Sequence, residues 1–146
     1  MRGADGYARL RKGRYSEVEN VYHITFSTRD RKPVFSDFYR ARQLLLTMKE
    51  CSEKGLVESL AYVIMPDHVH WLFVLKQGSV SAAVQRGKSV YTKIAGENVW
   101  NKGFYDHGIR TDESFKSVAR YIIANPVRAG LVEKVADYPH WDAVWV

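Results

Sequence analysis

The sequence contains a single cysteine, Cys51, and no long run of apolar residues. One cysteine excludes an internal disulfide framework and a zinc site made of cysteine ligands. No stretch approaches the roughly 20 apolar residues that a membrane helix requires, and Met1–Arg14 lacks the apolar segment of a secretory signal. We therefore expect a cytoplasmic protein that has no membrane partner.

Acidic residues are outnumbered by basic ones. The 22 Lys and Arg residues, against 16 Asp and Glu, give a formal net charge of +6 and a pI near 9.5. This excess indicates a polyanionic partner, and nucleic acid is the leading candidate in the cytoplasm. We expect the contacts to come from basic residues of an N-terminal arm and of one loop, which are Arg9, Arg11, Lys12, Arg14, Arg29, Arg31 and Lys32.

The arm comprises residues 1–14, which show no hydrophobic period and are predicted to be flexible. A solvated tail without a nucleic-acid contact is the alternative. By its length, the whole chain of 146 residues is predicted to be a single domain.

Hydrophobic periods and capping residues predict the secondary structure that follows the arm. The residues of Val21–Thr28 alternate cleanly in character, which predicts a strand whose Tyr22, Ile24 and Phe26 side chains point toward the core. Two short apolar runs joined by a Pro-Asp turn predict the strands Leu60–Met65 and Val69–Leu75, and Trp100–Arg110 is irregular or a short strand. The predicted helices run from Ser36 or Asp37 to about Lys54, from Ser79 or Ser81 to about Gly96, and from Thr111 or Asp112 to Asn125.

The helical period also predicts which side chains of the first two helices are buried. The expected core residues are Phe38, Leu45, Met48, Val80, Val84, Val90 and Ile94. The exposed side of the second helix is expected to carry Arg86, Lys88 and Lys93.

This order of elements, without a repeated strand–helix–strand alternation, predicts an α+β fold. We expect a ferredoxin-like or RRM-like antiparallel sheet with the first two helices on one face. The other face is then open for the third helix.

The second of the paired strands begins with His68-Val69-His70. Side chains alternate across a strand, so the two histidines point to one face, about 6–7 Å apart in rise. Neutral imidazole is the commonest side-chain metal ligand, and the pair therefore predicts a divalent metal site. Two hydrogen-bonded packing residues are the alternative.

The third helix carries Tyr121 and Asn125, four residues apart and so one above the other. A phenol has a pKa near 10 and is a poor nucleophile unless it is activated. A cation held by His68 and His70 would polarise a phosphodiester for attack by Tyr121. Asn125 is placed to offer its carbonyl oxygen as a third ligand.

Other residues could fill the same roles. Tyr105 and Tyr62 are alternative nucleophiles, although Tyr62 is on a packed strand and Tyr105 is in a loop. His23 is the alternative third ligand if its strand neighbours the histidine strand on the same face.

Four blocks of the sequence carry a family resemblance, and they are Tyr22–Thr25, Met65–His70, Trp100–Arg110 and Ala119–Leu131. On these blocks the chain resembles the single-tyrosine HUH transposases of the IS200-like class, and most closely their REP-associated tyrosine transposase branch. The family is named for two histidines that flank a hydrophobic residue, here His68, Val69 and His70.

The resemblance implies that Tyr121 attacks single-stranded DNA, leaving a 5′-phosphotyrosine and a free 3′-hydroxyl that can later rejoin strands. It implies Mg²⁺ or Mn²⁺ as the cofactor, and because imidazoles favour softer metals, we expect Mn²⁺ to bind well. The implied partner is hairpin DNA with a short single-stranded flank, and both monomers and homodimers occur in the class. A domesticated DNA- or RNA-binding protein without nicking activity and a metal-dependent hydrolase that uses water are the alternatives.

Overall fold

The structure is a computed structural model that describes residues 16–145. Of residues 10–11 it describes the backbone alone. In these residues six strands form one antiparallel sheet, in the order β1-β5-β2-β4-β3-β6. The strands are β1 (Leu10–Arg11), β2 (Val21–Ser27), β3 (Val57–Ile64), β4 (His68–Leu75), β5 (Phe104–Ile109) and β6 (Trp141–Ala143).

The helices begin at the polar residues that the sequence provides as caps. They are α1 (Phe38–Glu53), α2 (Val80–Ala95), α3 (Asp112–Ile123) and the short α4 (Asn125–Arg128). The side chains of Asp37, Ser79 and Thr111 each accept a hydrogen bond from a backbone N–H of the first turn, as N-caps do. None of the described helices is long and apolar enough to cross a membrane.

The four middle strands, β5-β2-β4-β3, are joined through α1 and α2 in a split βαββαβ arrangement. This confirms the ferredoxin-like α+β prediction. β3 and β4 form a hairpin, and the backbone N–H of Met65 donates to the carbonyl of His68 at 2.8 Å across the predicted turn.

The sheet has a hydrophobic cluster on each face. Tyr22, Ile24 and Phe26 of β2 belong to the cluster under α1 and α2, as predicted. Ala119 and Ile122 of α3 belong to the opposite cluster, so α3 covers the other face. His23 and Thr25 alternate with the buried β2 residues and therefore lie on the α3 side.

Two expectations about buried core residues are wrong. Phe38 and Ile94 are 59% and 48% exposed, because they lie in the terminal turns of α1 and α2, beyond the buried stripe of each helix. Leu10 and Arg11 of the predicted flexible arm form β1, because their backbone pairs with Tyr105 and Phe104. The other arm residues that are predicted to contact nucleic acid, Arg9, Lys12 and Arg14, lie outside the described residues.

The prediction that Lys88 occupies an exposed side is also wrong. Lys88 is only 7% exposed, and it follows Val84 by four residues in the buried stripe of α2. Its Nζ donates to the carbonyls of Asn101 and Gly103 at 2.9 and 2.6 Å. Burial lowers the pKa of Lys88 to about 8. The ammonium thus ties the segment before β5 to α2.

Replacing Lys88 with methionine, which keeps the volume but removes the ammonium, should lower the free energy of unfolding by about 2–3 kcal/mol. The reason is that two buried carbonyls lose a charged donor. Urea denaturation measures the change, and Lys93→Met on the exposed side of α2 is the control, expected to stay within about 0.5 kcal/mol. An equal loss in both variants would contradict a structural role for Lys88.

Candidate functional site

Two histidines begin β4 on the face that α3 covers. His68 and His70 have ring centroids 5.0 Å apart, whereas Val69 between them is fully buried in the opposite cluster. The alternation of the strand therefore places the two imidazoles side by side, as the sequence predicts.

His70 is held from the neighbouring strand β2. Its Nδ1 lies 3.0 Å from Nε2 of His23 and 3.1 Å from the hydroxyl oxygen of Thr25, which is its partner in the strand register. Burial, followed by the charges of His23 and His68, lowers the pKa of His70 to about 3. His70 is therefore neutral at physiological pH, and these two contacts leave its Nε2 available.

His68 is held from the turn before β4. Its Nδ1 lies 2.7 Å from Oδ1 of Asp67, and Nε of Arg31 donates to Oδ2 of the same carboxylate at 3.0 Å. Burial acts to raise the pKa of Asp67, but the hydrogen bonds from His68 and Arg31 outweigh it and hold this pKa below its usual value. Arg31, expected to contact nucleic acid, thus also supports Asp67.

Tyr121 and His70 both line a cavity of about 210 Å³ between the sheet and α3. The cavity is lined by His23, Thr25, His70, Tyr105, Asp106, His107 and Tyr121. Tyr105 and His107 face Thr25 and His23 in the β2–β5 register. The pattern of Trp100–Arg110 predicts an irregular segment or a short strand, and it is the β2–β5 register that brings Asp106 and His107 to the cavity.

Tyr121 is 53% exposed, and one face of its ring is covered by an arginine. The guanidinium carbon of Arg128 lies 3.9 Å from the centroid of the ring, and Nη2 of Arg128 donates to the backbone carbonyl of Tyr121 at 2.8 Å. Local sequence patterns do not indicate this role, because Arg128 follows the predicted end of the helix at Asn125.

Asn125 lies at the start of α4, one turn after Tyr121. Its Nδ2 donates to the carbonyl of Ile122 at 3.2 Å, which leaves Oδ1 as the atom that can accept or coordinate. Neither Asn125 nor His68 lines the cavity that Tyr121 and His70 share. The structure thus brings Tyr121 to His70 and His70 to His68, and among the described residues no hydrogen bond joins Asn125 to either histidine.

The two alternative nucleophiles differ in their surroundings. Tyr62 is partly buried, and burial followed by the carboxylate of Asp142 raises its pKa to about 12, which disfavours the phenolate. Tyr105 is 48% exposed and lines the same cavity as Tyr121. Tyr105 is therefore the alternative to test.

The family model for IS200-like transposases matches residues 17–125, which include both histidines, Tyr121 and Asn125. The chain belongs to the IS200-like transposase family. A REP-associated tyrosine transposase of Escherichia coli (strain K12) is 30% identical over 111 residues, covering 68% of this chain and 67% of that protein. A putative REP-associated tyrosine transposase of Haemophilus influenzae is 28% identical over 138 residues, covering 82% and 77%. The predicted REP-associated branch is confirmed.

Solved structures agree with this family membership. A REP-associated tyrosine transposase bound to a REP hairpin superposes with a TM-score of 0.79 at 25% identity, over 90% of this chain and 81% of that one. A putative transposase from Deinococcus radiodurans gives a TM-score of 0.54 at 22% identity, over 77% and 95%, and shares the fold.

Proposed function

We propose that this member of the family is a metal-dependent enzyme that nicks and rejoins hairpin-associated single-stranded DNA through a covalent bond to Tyr121. The observation that carries the proposal is that Tyr121 and His70, from α3 and β4, line one cavity. The cavity brings a partly exposed phenol to a neutral imidazole that is pre-oriented from β2.

The proposed reaction is an in-line displacement at phosphorus. The phenolic oxygen of Tyr121 forms a bond to phosphorus, and the bond from phosphorus to the 3′-oxygen breaks. The phenol loses a proton and the departing 3′-oxygen gains one, so the products are a 5′-phosphotyrosine and a free 3′-hydroxyl. Attack of a 3′-hydroxyl on the phosphotyrosine reverses the step and rejoins DNA.

The side chains at the histidine pair fit a divalent metal. Both imidazoles are oriented through Nδ1, by Asp67 for His68 and by β2 for His70, and this pattern leaves Nε2 of each ring to coordinate. When bound, Mg²⁺ or Mn²⁺ would withdraw charge from the phosphodiester. We assign the third ligand to Asn125, whose Oδ1 is not used in its bond to Ile122.

His23 fits an orienting role better than a ligand role, because its Nε2 already lies 3.0 Å from Nδ1 of His70. Within the described residues, no group of three or more His, Cys, Asp or Glu side chains is arranged to hold a metal. We propose that the amide oxygen of Asn125, with water, completes the coordination at the histidine pair.

Arg128 would position the nucleophile. Its guanidinium lies against one face of the Tyr121 ring and bonds the backbone of the same residue, so the ring and the charge are held together. A guanidinium beside the phenol also favours a phosphate at this place, because arginine pairs strongly with phosphate oxygens.

The proposed partner is hairpin DNA. The support is that a structural relative is bound to a REP hairpin and that this chain carries a net charge of +6. We propose that Arg9, Arg11, Lys12, Arg14, Arg29, Arg31 and Lys32 contribute phosphate contacts, with Arg31 shared between Asp67 and DNA.

Tyr121→Phe should abolish the covalent protein–DNA adduct while leaving DNA binding unchanged. The change removes one oxygen from a partly exposed ring whose contact with Arg128 does not need the hydroxyl. A denaturing gel after incubation with labelled single-stranded DNA and Mn²⁺ shows the adduct, and a binding titration measures affinity.

Tyr105→Phe is the matched control, because Tyr105 lines the same cavity at similar exposure. It should retain the adduct. An adduct lost in Tyr105→Phe and kept in Tyr121→Phe would reassign the nucleophile, and binding without any adduct in the unchanged protein would favour a DNA-binding protein that does not nick.

His68→Ala and His70→Ala should each remove most Mn²⁺ binding, and Asn125→Ala should weaken it, as measured by calorimetric titration. The matched control for the amide is Asn20→Ala, which removes an exposed asparagine whose Nδ2 donates to Oε1 of Glu17 at 2.9 Å. Unchanged affinity in the histidine variants would refute the metal site. Loss in His23→Ala with none in Asn125→Ala would transfer the third ligand to His23.

Asp67→Ala should weaken Mn²⁺ binding by about 10–100-fold, the usual effect of removing a carboxylate that orients a metal-binding histidine. Asp137→Ala, at an exposed carboxylate in a 3-10 turn, should have no effect. Equal affinities in the two variants would show that His68 does not depend on Asp67.

A further inference from the structure

A second cavity, of about 500 Å³, lies between α2 and the segment that precedes β5. We call it the α2 cleft, and it is lined by Arg29, Gln85, Lys88, Ser89, Thr92, Lys93, Asn98, Trp100, Asn101, Lys102 and Gly103. Among the described residues that line the cleft, four are basic and none is acidic. The remaining polar lining consists of amides and hydroxyls, which can donate and accept hydrogen bonds.

The wall of the cleft is fixed by hydrogen bonds to its surroundings. Nζ of Lys88 binds the carbonyls of Asn101 and Gly103 from one side. From the other side, Nδ2 of Asn101 donates to the hydroxyl of Ser27 at 3.1 Å and to the carbonyl of Thr28 at 3.0 Å. The backbone of Arg29 is bonded to Val99 at 2.8 Å. A ligand would therefore meet a preformed surface, which reduces the ordering cost of binding.

The α2 cleft adjoins the end of the sheet where the histidines lie. Ser27, which Asn101 contacts, is the register partner of His68 in the β2–β4 pair. Adjacent strands are about 4.8 Å apart, so the cleft wall is anchored one strand away from His68. The cleft opens beside α2 and the histidines face α3, and the strand end at Ser27–Thr28 separates them.

We propose that the α2 cleft binds single-stranded nucleotides that flank the cleaved phosphodiester. The inference rests on the proposed function for the identity of the ligand as DNA. Arg29, Lys93 and Lys102 would contact phosphates, and the amides and hydroxyls of the cleft would contact a base edge. The strand would pass around the end of β2 to reach His68 and His70.

The shape of the cleft selects a single strand over a duplex. A volume of about 500 Å³ is in the range of small-molecule pockets. The two backbones of B-DNA are separated by a major groove roughly 12 Å wide, so a cleft of this size can hold one strand but not both strands of a duplex. An unpaired nucleotide can enter, and its exposed base edge can then be read.

The first test compares two double variants. Lys93→Ala with Lys102→Ala removes two charges from the cleft, and Lys49→Ala with Lys134→Ala removes two exposed charges that do not line it. The probes are the single strand (dT)12 and a blunt 12-base-pair duplex, titrated across a salt series. For (dT)12, the cleft variant should bind roughly tenfold more weakly at low salt, and its salt dependence should flatten by about 1.4, or 0.7 per lost contact.

The second test fills the cleft without changing charge. Ser89→Trp should weaken (dT)12 binding but not duplex binding, because Ser89 lines the cleft. Ala82→Trp, at an exposed position near the start of the same helix, is the control and should leave both affinities unchanged. Thermal unfolding of all four variants verifies that the fold is retained.

The outcomes separate this inference from the proposed function. Equal losses in the cleft and control variants, or an equal loss for duplex and single strand, would overturn the cleft assignment even if Tyr121 forms its adduct. A selective loss of (dT)12 binding would support the α2 cleft as a single-strand binding site even if no adduct forms. The missing adduct would then contradict the proposed nicking reaction alone.

Discussion

The pairing register between β2 and β4 is the constraint on which the site depends. It sets Thr25 opposite His70 and Ser27 opposite His68. A slip of one residue would turn every side chain of a strand to the other face, moving the histidines under α1 and α2 and moving Val69 and Trp71 to the α3 side. Because Val69 and Trp71 are buried almost completely under α1 and α2, the hydrophobic core fixes the register. The histidines are therefore positioned by buried apolar residues that take no part in the proposed reaction.

From this register the orientation of the imidazoles follows. His70 reaches His23 and Thr25 across the β2–β4 pair, and β5 on the other side of β2 adds Tyr105 and His107 to the same cavity. α3 then closes the cavity with Tyr121, because its buried residues Ala119 and Ile122 seat the helix on this face. Each wall of the site thus belongs to a strand or helix whose apolar side chains are buried in one of the two hydrophobic clusters.

Local patterns in the sequence were sufficient for β2, for the paired strands β3 and β4, for the helix caps and for the shared face of His68 and His70, because each depends on neighbours a few residues away. Lys88 could not be predicted, since its partners are carbonyls 13 and 15 residues later and are brought near only by tertiary folding. The same reason applies to Tyr105, whose place in the cavity depends on the β2–β5 register. Phe38 was predicted to be buried but is exposed. The helical period of apolar residues gives the face on which a side chain lies, but it does not give the point at which the helix extends beyond the core.

The end of β2 connects the two candidate binding regions through short hydrogen bonds. The backbone N–H of Thr28 donates to the carbonyl of Asp67 at 3.0 Å, and Asp67 holds His68. The carbonyl of Thr28 accepts from Asn101, which forms part of the α2 cleft. One residue therefore joins the turn that orients a histidine to the wall of the basic cleft. Because Thr28 is fully buried, its position cannot change without disturbing both contacts. A chain of DNA held in the cleft would thus be held at a fixed distance from His68, which is what cleavage at a defined phosphate requires.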